Sequence, residues 1–369
     1  MFGTAVSVEV QLLMDADHKK QGGLRTLLGN YLRQRRARAR RLSFHIHGID
    51  LEVITDREET ALALSEMMGF AGIRRVVRGR ALTCYIVEET SGEPSVLDRF
   101  EDPELVLSWE TCGYFAWRDL CLVDFYPWGT AVIDPRNGAA LLVLKAEENP
   151  PPLIFSNQIF FQTLEIMLHG RDIYPIHASV VAKGRRAVLF PAPSGYGKTT
   201  LALTMVRAGY RFLGDDKPAI VRRSGRTAVL AFPEPVNGYV DELRRFEELP
   251  HRPHPAFPPD FPLKVSFNVE EYWPGCVLSS AVPAAIIFPD PLDETMPEDT
   301  LIEPVSRAEG LRRLIELNWP VRLPWGFDGF LDMMRDLAEQ TPCYRIRGSA
   351  DLKDIPERIN GLIGNQEIG

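Results

Sequence analysis

A glycine-rich loop constrains this chain more than any other feature. "APSGYGKT", Ala192 to Thr199, stands between an apolar run, "RAVLFPA", and a helical pattern, "TTLALTMVRAGY". Gly195 and Gly197 permit tight curvature and leave no Cβ in the way of an approaching group. Successive backbone N–H groups can then turn inward around an anion. Strand, loop and helix in this order fit the Walker A pattern, with alanine at the first glycine position. Lys198 supplies a mobile cation for β- and γ-phosphate oxygens, and Thr199 puts a hydroxyl at the usual magnesium position. The following helix aims its N-terminal dipole at the same phosphates. The expected nucleotide contacts are therefore Pro193, Ser194, Gly195, Tyr196, Gly197, Lys198, Thr199 and Thr200, around a nucleoside triphosphate.

The helical pattern stops at Gly209, and "YRFLGDD" returns at once to Asp215 and Asp216. Adjacent residues on an extended chain point to opposite sides. One carboxylate is then free to reach magnesium while the other faces an incoming hydroxyl, whose proton it accepts as attack proceeds. A polar turn at a strand end is the plainer alternative. A second apolar strand, "PAAIIFPD", ends in Asp290 and also looks like a magnesium-binding carboxylate. The short interval from Lys198 to Asp215 favours the earlier pair.

The remaining sequence sets the frame. The chain has 369 residues, enough for two domains. Its net charge of -8 gives no general attraction to nucleic acid or to an anionic membrane. No apolar run approaches the roughly 20 residues that cross a bilayer, and the first residues lack a secretory pattern. Five scattered cysteines without a CxxC pair suggest reduced thiols, so a cytoplasmic protein is expected. "HIH" at His45 to His47 reads as two surface or core histidines rather than a metal clip. Arg33, Arg35, Arg36, Arg38, Arg40 and Arg41 crowd together in "RQRRARARRLSF", read as a solvated helix end or a contact to an acidic surface.

Residues 1–41 form a basic leading segment. Residues 42–148 read as a small α+β domain dominated by antiparallel strands and without a catalytic constellation. Because it lacks a site of its own, acceptor docking or regulation is the expectation for it. "KAEENPPPLIF" is a proline-rich break, and a domain boundary is placed there, so 149–369 form the loop-bearing α/β domain. "LPHRPHPAFPPDFPL", Leu249 to Leu263, reads as an irregular loop, either a lid or acceptor-binding segment beside the phosphate site or a surface linker.

Three pieces, "IHASVVAKGRRAVLFPAPSGYGKTTLALTMVRAGYRFLGDD", "VLAFPEPV" and "TPCYRIRGSADL", resemble the HPr kinase/phosphorylase superfamily, and more closely its HPr-kinase-like relatives. The resemblance spans about residues 175 to 350. It implies a P-loop fold of the HPr-kinase/phosphoenolpyruvate-carboxykinase type, with ATP and Mg²⁺ as ligands. Carried over by position, Lys198 and Thr199 hold the triphosphate and metal, Asp215 acts as general base and Asp216 as metal contact. His177 matches a histidine lying near the reacting phosphate, with a core histidine as the competing reading.

The glutamate- and glycine-rich segment of true HPr kinases has no counterpart, which points away from HPr as substrate. Glu234 is a candidate second metal contact, and Lys264 and Arg307 are candidate neutralisers of transferred charge. The implied activity is transfer of the γ-phosphate of ATP to a hydroxyl, with serine of a peptide or protein leading. A small hydroxylated metabolite as acceptor, or nucleotide sensing without turnover, are the alternatives. Homo-oligomeric assembly is left open.

Overall fold

The structure, a computed structural model, describes residues 24, 39–46, 49–68, 81–89, 95–145, 147–232, 234–251, 264–290, 300–318, 326–348 and 352–364. Arg33 to Arg38, His47 and most of the proline-dense segment (252–263) lie outside them. The chain falls into two compact units whose principal break is between Arg171 and Asp172.

The first unit is built on an eight-stranded sheet. In chain order its strands are β1 (Arg40–Ile46), β2 (Ile49–Thr55), β3 (Leu82–Glu88), β4 (Glu104–Ser108), β5 (Cys112–Trp117), β6 (Leu120–Phe125), β7 (Gly129–Asp134) and β8 (Ala139–Leu144). They lie in the order β1-β2-β3-β8-β7-β6-β5-β4. β4 to β8 form an antiparallel meander, while β2–β3 and β3–β8 pair in parallel. Helix α1 (Glu58–Met67) stands between β2 and β3 in the chain, the kind of connection a parallel pair requires.

The proline-rich break at 149–152 does not end this unit. Pro152 sits in the first helical turn, where its missing N–H costs nothing. Helical structure then continues through a π-turn, Phe155–Phe160, into α2 (Phe161–His169). Gln162 on α2 accepts a 2.9 Å hydrogen bond from the Tyr114 hydroxyl of β5. Gly170, capping α2, presses so closely on Pro135 that an added Cβ would lie 1.9 Å from the Pro135 carbonyl oxygen. The unit therefore runs on to Arg171, because α2 packs onto the sheet the proline break was expected to leave behind.

The second unit is a mixed α/β layer structure. Its main sheet contains β9 (Ile173–Pro175), β10 (Ala178–Lys183), β11 (Arg186–Pro191), β12 (Arg211–Gly214), β13 (Ala219–Arg223) and β14 (Arg226–Leu230). A separate two-stranded ribbon joins β15 (Val236–Tyr239) to β16 (Lys264–Phe267). β17 (Ser280–Pro289), β18 (Leu301–Val305) and β19 (Cys343–Arg347) complete the main sheet. Its order is β12-β10-β11-β17-β14-β13-β9, with β19 parallel to β17 and β18 paired to β19.

Period-two alternation sorts the side chains of β10 and β11 to the two faces. Val181, Val188 and Phe190 meet α3 (Lys198–Arg207) through Leu201 and Met205, and α6 (Ile355–Gly364) through Ile355 and Ile359. Val180, Ala182, Ala187 and Leu189 share the other core with Leu314 of α4 (Arg307–Asn318) and with Met333, Met334 and Leu337 of α5 (Phe327–Gln340). The sheet is thus covered by helices on both faces, the arrangement its continuous apolar strands demand.

Strand direction decides where chemistry can gather. β11 runs parallel to β17 and antiparallel to β10, and β10 is antiparallel to β12. The C-terminal ends of β11, β12 and β17 therefore share one sheet edge with the N-terminal end of β10. The glycine loop, Asp215–Asp216, Asp290 and His177 all follow or precede these ends.

Candidate functional site

The glycine loop adopts the backbone its sequence requires. Gly195 and Gly197 have φ of 85° and 78°, in the left-handed region that L side chains rarely enter. A Cβ added at either would meet nothing within 4 Å, so the backbone angle and not crowding calls for glycine here. Gly197 serves as N-cap of α3, and Lys198 and Thr199 open its first turn. Pro193, Ser194 and Gly195 are exposed, Tyr196 and Gly197 half-buried, and Lys198 and Thr200 buried. The loop thus ends at the N-terminus of α3, where unpaired backbone N–H groups of the first turn suit an anion such as a phosphate chain.

Two carboxylates face the loop with different partners. Asp215 is buried and spends both oxygens on hydroxyls. Oδ2 accepts from Thr199 Oγ1 at 2.9 Å, and Oδ1 accepts a short hydrogen bond from Ser179 Oγ of β10. Asp216 is exposed, pairs with Lys198 Nζ at 2.9 Å and lies 3.6 Å from His177 Nδ1. The chain leaves the extended conformation here, since Asp216 has φ of 69°. That left-handed turn, rather than strand alternation, separates the two side chains. His177 is half-buried, and its backbone N–H donates to Asn318 Oδ1 at 2.6 Å.

The electrostatics follow from these surroundings. Burial, then the neighbouring Asp216 charge, pushes the Asp215 carboxyl from its ordinary 3.8 up to about 7, against the pull of Lys198, Ser179 and Thr199. For Asp216 partial desolvation works the other way, but Lys198 and His177 outweigh it and hold the carboxyl below its ordinary value. His177 is shifted downward by burial and by Lys198, with Asp216 opposing. A neutral imidazole beside a charged carboxylate results near neutral pH.

A third acid stands behind this pair. Glu234 is buried with its Oε2 2.7 Å from Lys217 Nζ, while its Oε1 has no hydrogen-bond partner. Burial raises its carboxyl to about 8, with Asp216 and Asp215 adding to the shift and Lys217 opposing it.

The other sequence candidates are placed elsewhere. Asp290 follows β17, lies 3.5 Å from Arg313 and lines a cleft with Tyr196, apart from the Thr199–Asp215 contact. Lys264 lies over the Tyr239 ring at 4.7 Å within the β15–β16 ribbon. Arg307 is exposed at the start of α4, close enough to oppose the upward shift of the Cys343 thiol. All five cysteines are buried and free. Ser179 and Lys217 escaped the sequence reading. Ser179 is two residues beyond His177, and that spacing on a strand would have placed both on one face.

Magnesium fits the donor set. Thr199 offers a hydroxyl and Asp215 a carboxylate oxygen at the same spot, and Mg²⁺ bound with a nucleotide takes one or two carboxylates and completes its octahedron with phosphate oxygens and water. Among the described residues no group of three or more His, Cys, Asp or Glu is placed to hold a metal without such help. No described helix is long and apolar enough to cross a membrane.

No family model matches the chain, and no curated protein matches it. Among solved structures, the Hpr(Ser) kinase/phosphatase from Coxiella burnetii is similar at a TM-score of 0.27 and 14% identity, over 52% of this chain and 88% of that one. A score of that size assigns neither fold nor activity, so the functional reading rests on the residues described above.

Proposed function

We propose that the second unit is a P-loop phosphotransferase of the HPr-kinase type, moving the γ-phosphate of ATP to a hydroxyl group, with a peptide or protein serine as the acceptor class. The observation that carries this reading is the division of labour at one sheet edge. Thr199 and Asp215 form one polar contact, and Lys198, Asp216 and His177 form another beside it. A hydrolytic switch needs only the first. The second supplies an exposed carboxylate where an acceptor hydroxyl could arrive. The sequence resemblance supplies the serine.

The geometry favours exchanging the roles first carried over by position. A general base must come within hydrogen-bond reach of the proton it removes. Asp215 is buried beside the Thr199 hydroxyl, out of an acceptor's reach, and would serve the metal side with it. Asp216 is exposed and takes the acceptor proton. The acceptor oxygen then attacks the γ-phosphorus, the bond to the bridging oxygen breaks, and ADP leaves with the electron pair. Lys198, released from Asp216 by the arriving phosphates, neutralises charge on the transferred group. His177 borders Asp216 and keeps its carboxylate oriented. When bound, Mg²⁺ neutralises the β- and γ-phosphate oxygens.

The test is transfer from γ-labelled ATP to serine-containing peptides and to small hydroxylated acceptors, with titration of nucleotide alongside. Asp216→Asn should cut transfer by roughly 10²–10⁴-fold, the usual contribution of a positioned base, while MgATP affinity changes little. Lys198→Ala should lose both. Full transfer by Asp216→Asn would return the base role to another group. ATP binding with no transfer to any acceptor would favour a sensor.

A further inference from the structure

The turn that carries Asp216 continues into a second lysine that the transfer step above does not use. Lys217 follows Asp216 directly, and its Nζ lies 2.7 Å from Glu234 Oε2. Both side chains are buried, at 11% and 4% exposure, whereas Asp216 keeps 45%. Lysine is almost never buried without a partner, and here Glu234 holds it. Burial raises the Glu234 carboxyl to about 8, so the pair leaves the Lys217 charge uncancelled near neutral pH.

The backbone fixes where that charge stands. Asp216 has φ of 69°, and its N–H donates to the Ala178 carbonyl at 3.1 Å. Pro218, next in the chain, steers Lys217 to extended backbone, and its carbonyl accepts from Ile176 N–H at 2.8 Å. Glu234 is anchored in turn. Phe232 N–H donates to the Leu213 carbonyl at 3.1 Å, and Glu234 N–H donates to the Phe232 carbonyl at 3.1 Å.

Lys198 is held differently. It opens α3 and pairs with the exposed Asp216 rather than with a buried acid, and arriving phosphates draw it away. That move leaves an anionic carboxylate facing an anionic phosphate chain. Like charges so close repel unless a cation stays beside them. Lys217 lies close enough to Asp216 for its charge to lower that carboxyl, the direction in which Lys198 also acts.

We propose that Lys217, held by Glu234, is the resident cation of the transfer site, a positioning residue that keeps the Asp216 carboxylate turned toward the acceptor once Lys198 has moved to the phosphates. The inference rests on the phosphotransfer reading above and adds to it a residue outside both the loop and the aspartate pair. Without the Lys217 charge, the exposed Asp216 side chain turns to solvent, where water screens it. The nucleotide then still binds, but the acceptor meets no oriented base.

The experiment measures MgATP affinity of the full chain by calorimetry. It also measures kcat and acceptor KM for transfer from γ-labelled ATP, with the best acceptor from a panel of serine-containing peptides and small hydroxylated compounds. Lys217→Gln keeps a polar partner for Glu234 and removes the charge. It should lower kcat about ten- to hundredfold, while MgATP affinity and acceptor KM stay within about threefold. Lys217→Arg, which keeps the charge, should retain most of the wild-type kcat. In an Asp216→Asn background Lys217→Gln should cost nothing further, because its effect runs through that carboxylate. Lys217→Met covers the case that Lys217→Gln fails to fold. An unchanged kcat, a loss that adds in full to that of Asp216→Asn, or an equal loss of MgATP affinity overturns the assignment and leaves the transfer reading standing. If wild type binds MgATP but phosphorylates nothing in the panel, the transfer reading itself fails and the role of Lys217 goes with it.

Discussion

Glu234 offers the sharpest test of the electrostatics around the site. Its carboxyl lies 2.7 Å from Lys217 Nζ, a distance that suggests an ion pair, yet burial raises it from its ordinary 4.5 to about 8. Pairing and burial pull in opposite directions. Burial prevails, because one carboxylate oxygen has no partner and two acids lie nearby, and both penalise the charged form. Between pH 4.5 and about 8 the folded state then holds a proton that the unfolded chain has released. Stability is highest on the acid side and falls as pH climbs through that window.

The interval, at roughly 1.4 kcal/mol per pH unit, bounds the loss at about 5 kcal/mol. Glu234→Gln keeps the shape and the oxygen that Lys217 donates to, but cannot ionise. Urea denaturation of both proteins, without nucleotide, at several values between pH 4.5 and 9 measures the difference. The variant should match wild type near pH 4.5, gain on it steadily up to about pH 8 and then hold a constant lead. A difference that does not change with pH, or a variant that loses ground as pH rises, would show that the Lys217 charge governs the pair and refute the reasoning.

Two further expectations concern backbone. Gly170→Ala places a methyl against the Pro135 carbonyl, 1.9 Å away, where only backbone can yield. It should destabilise the first unit by about 1–3 kcal/mol, read from denaturation of the full chain followed at its own transition, with nucleotide affinity unchanged. Gly197→Ala meets no neighbour but must adopt φ of 78°. It should cost roughly 1–2 kcal/mol in stability and weaken triphosphate binding more than that strain alone explains, which calorimetry checks.

What could be read in the residues differed from what could not for a physical reason. The loop's backbone was legible because its tight turns demand left-handed conformation, and only glycine supplies it cheaply at 195 and 197. The two aspartates were legible as neighbours, but their different surroundings were not. Strand alternation assumes an extended chain, and Asp216 turns left-handed, so one carboxylate folds in toward Thr199 and Ser179 while the other stays in solvent beside Lys198.

Long-range pairing was equally hidden. Nothing local in "IDLEVIT" or "LTCYIVE" says that β2, β3 and β8 lie parallel, because that depends on which strands meet across nearly a hundred residues. The proline break at 149–152 misled for the opposite reason. Proline ends a helix from within but is well tolerated in the first turn, and here it begins the segment that leads into α2.

The same distinction explains why Ser179 and Lys217 were missed. Each acquires its partner, Asp215 or Glu234, only when β10, the Asp215–Asp216 turn and the chain after β14 converge at one sheet edge. Chemistry carried by backbone conformation is written locally. Chemistry carried by the meeting of strand ends appears only when the order and direction of the strands are known.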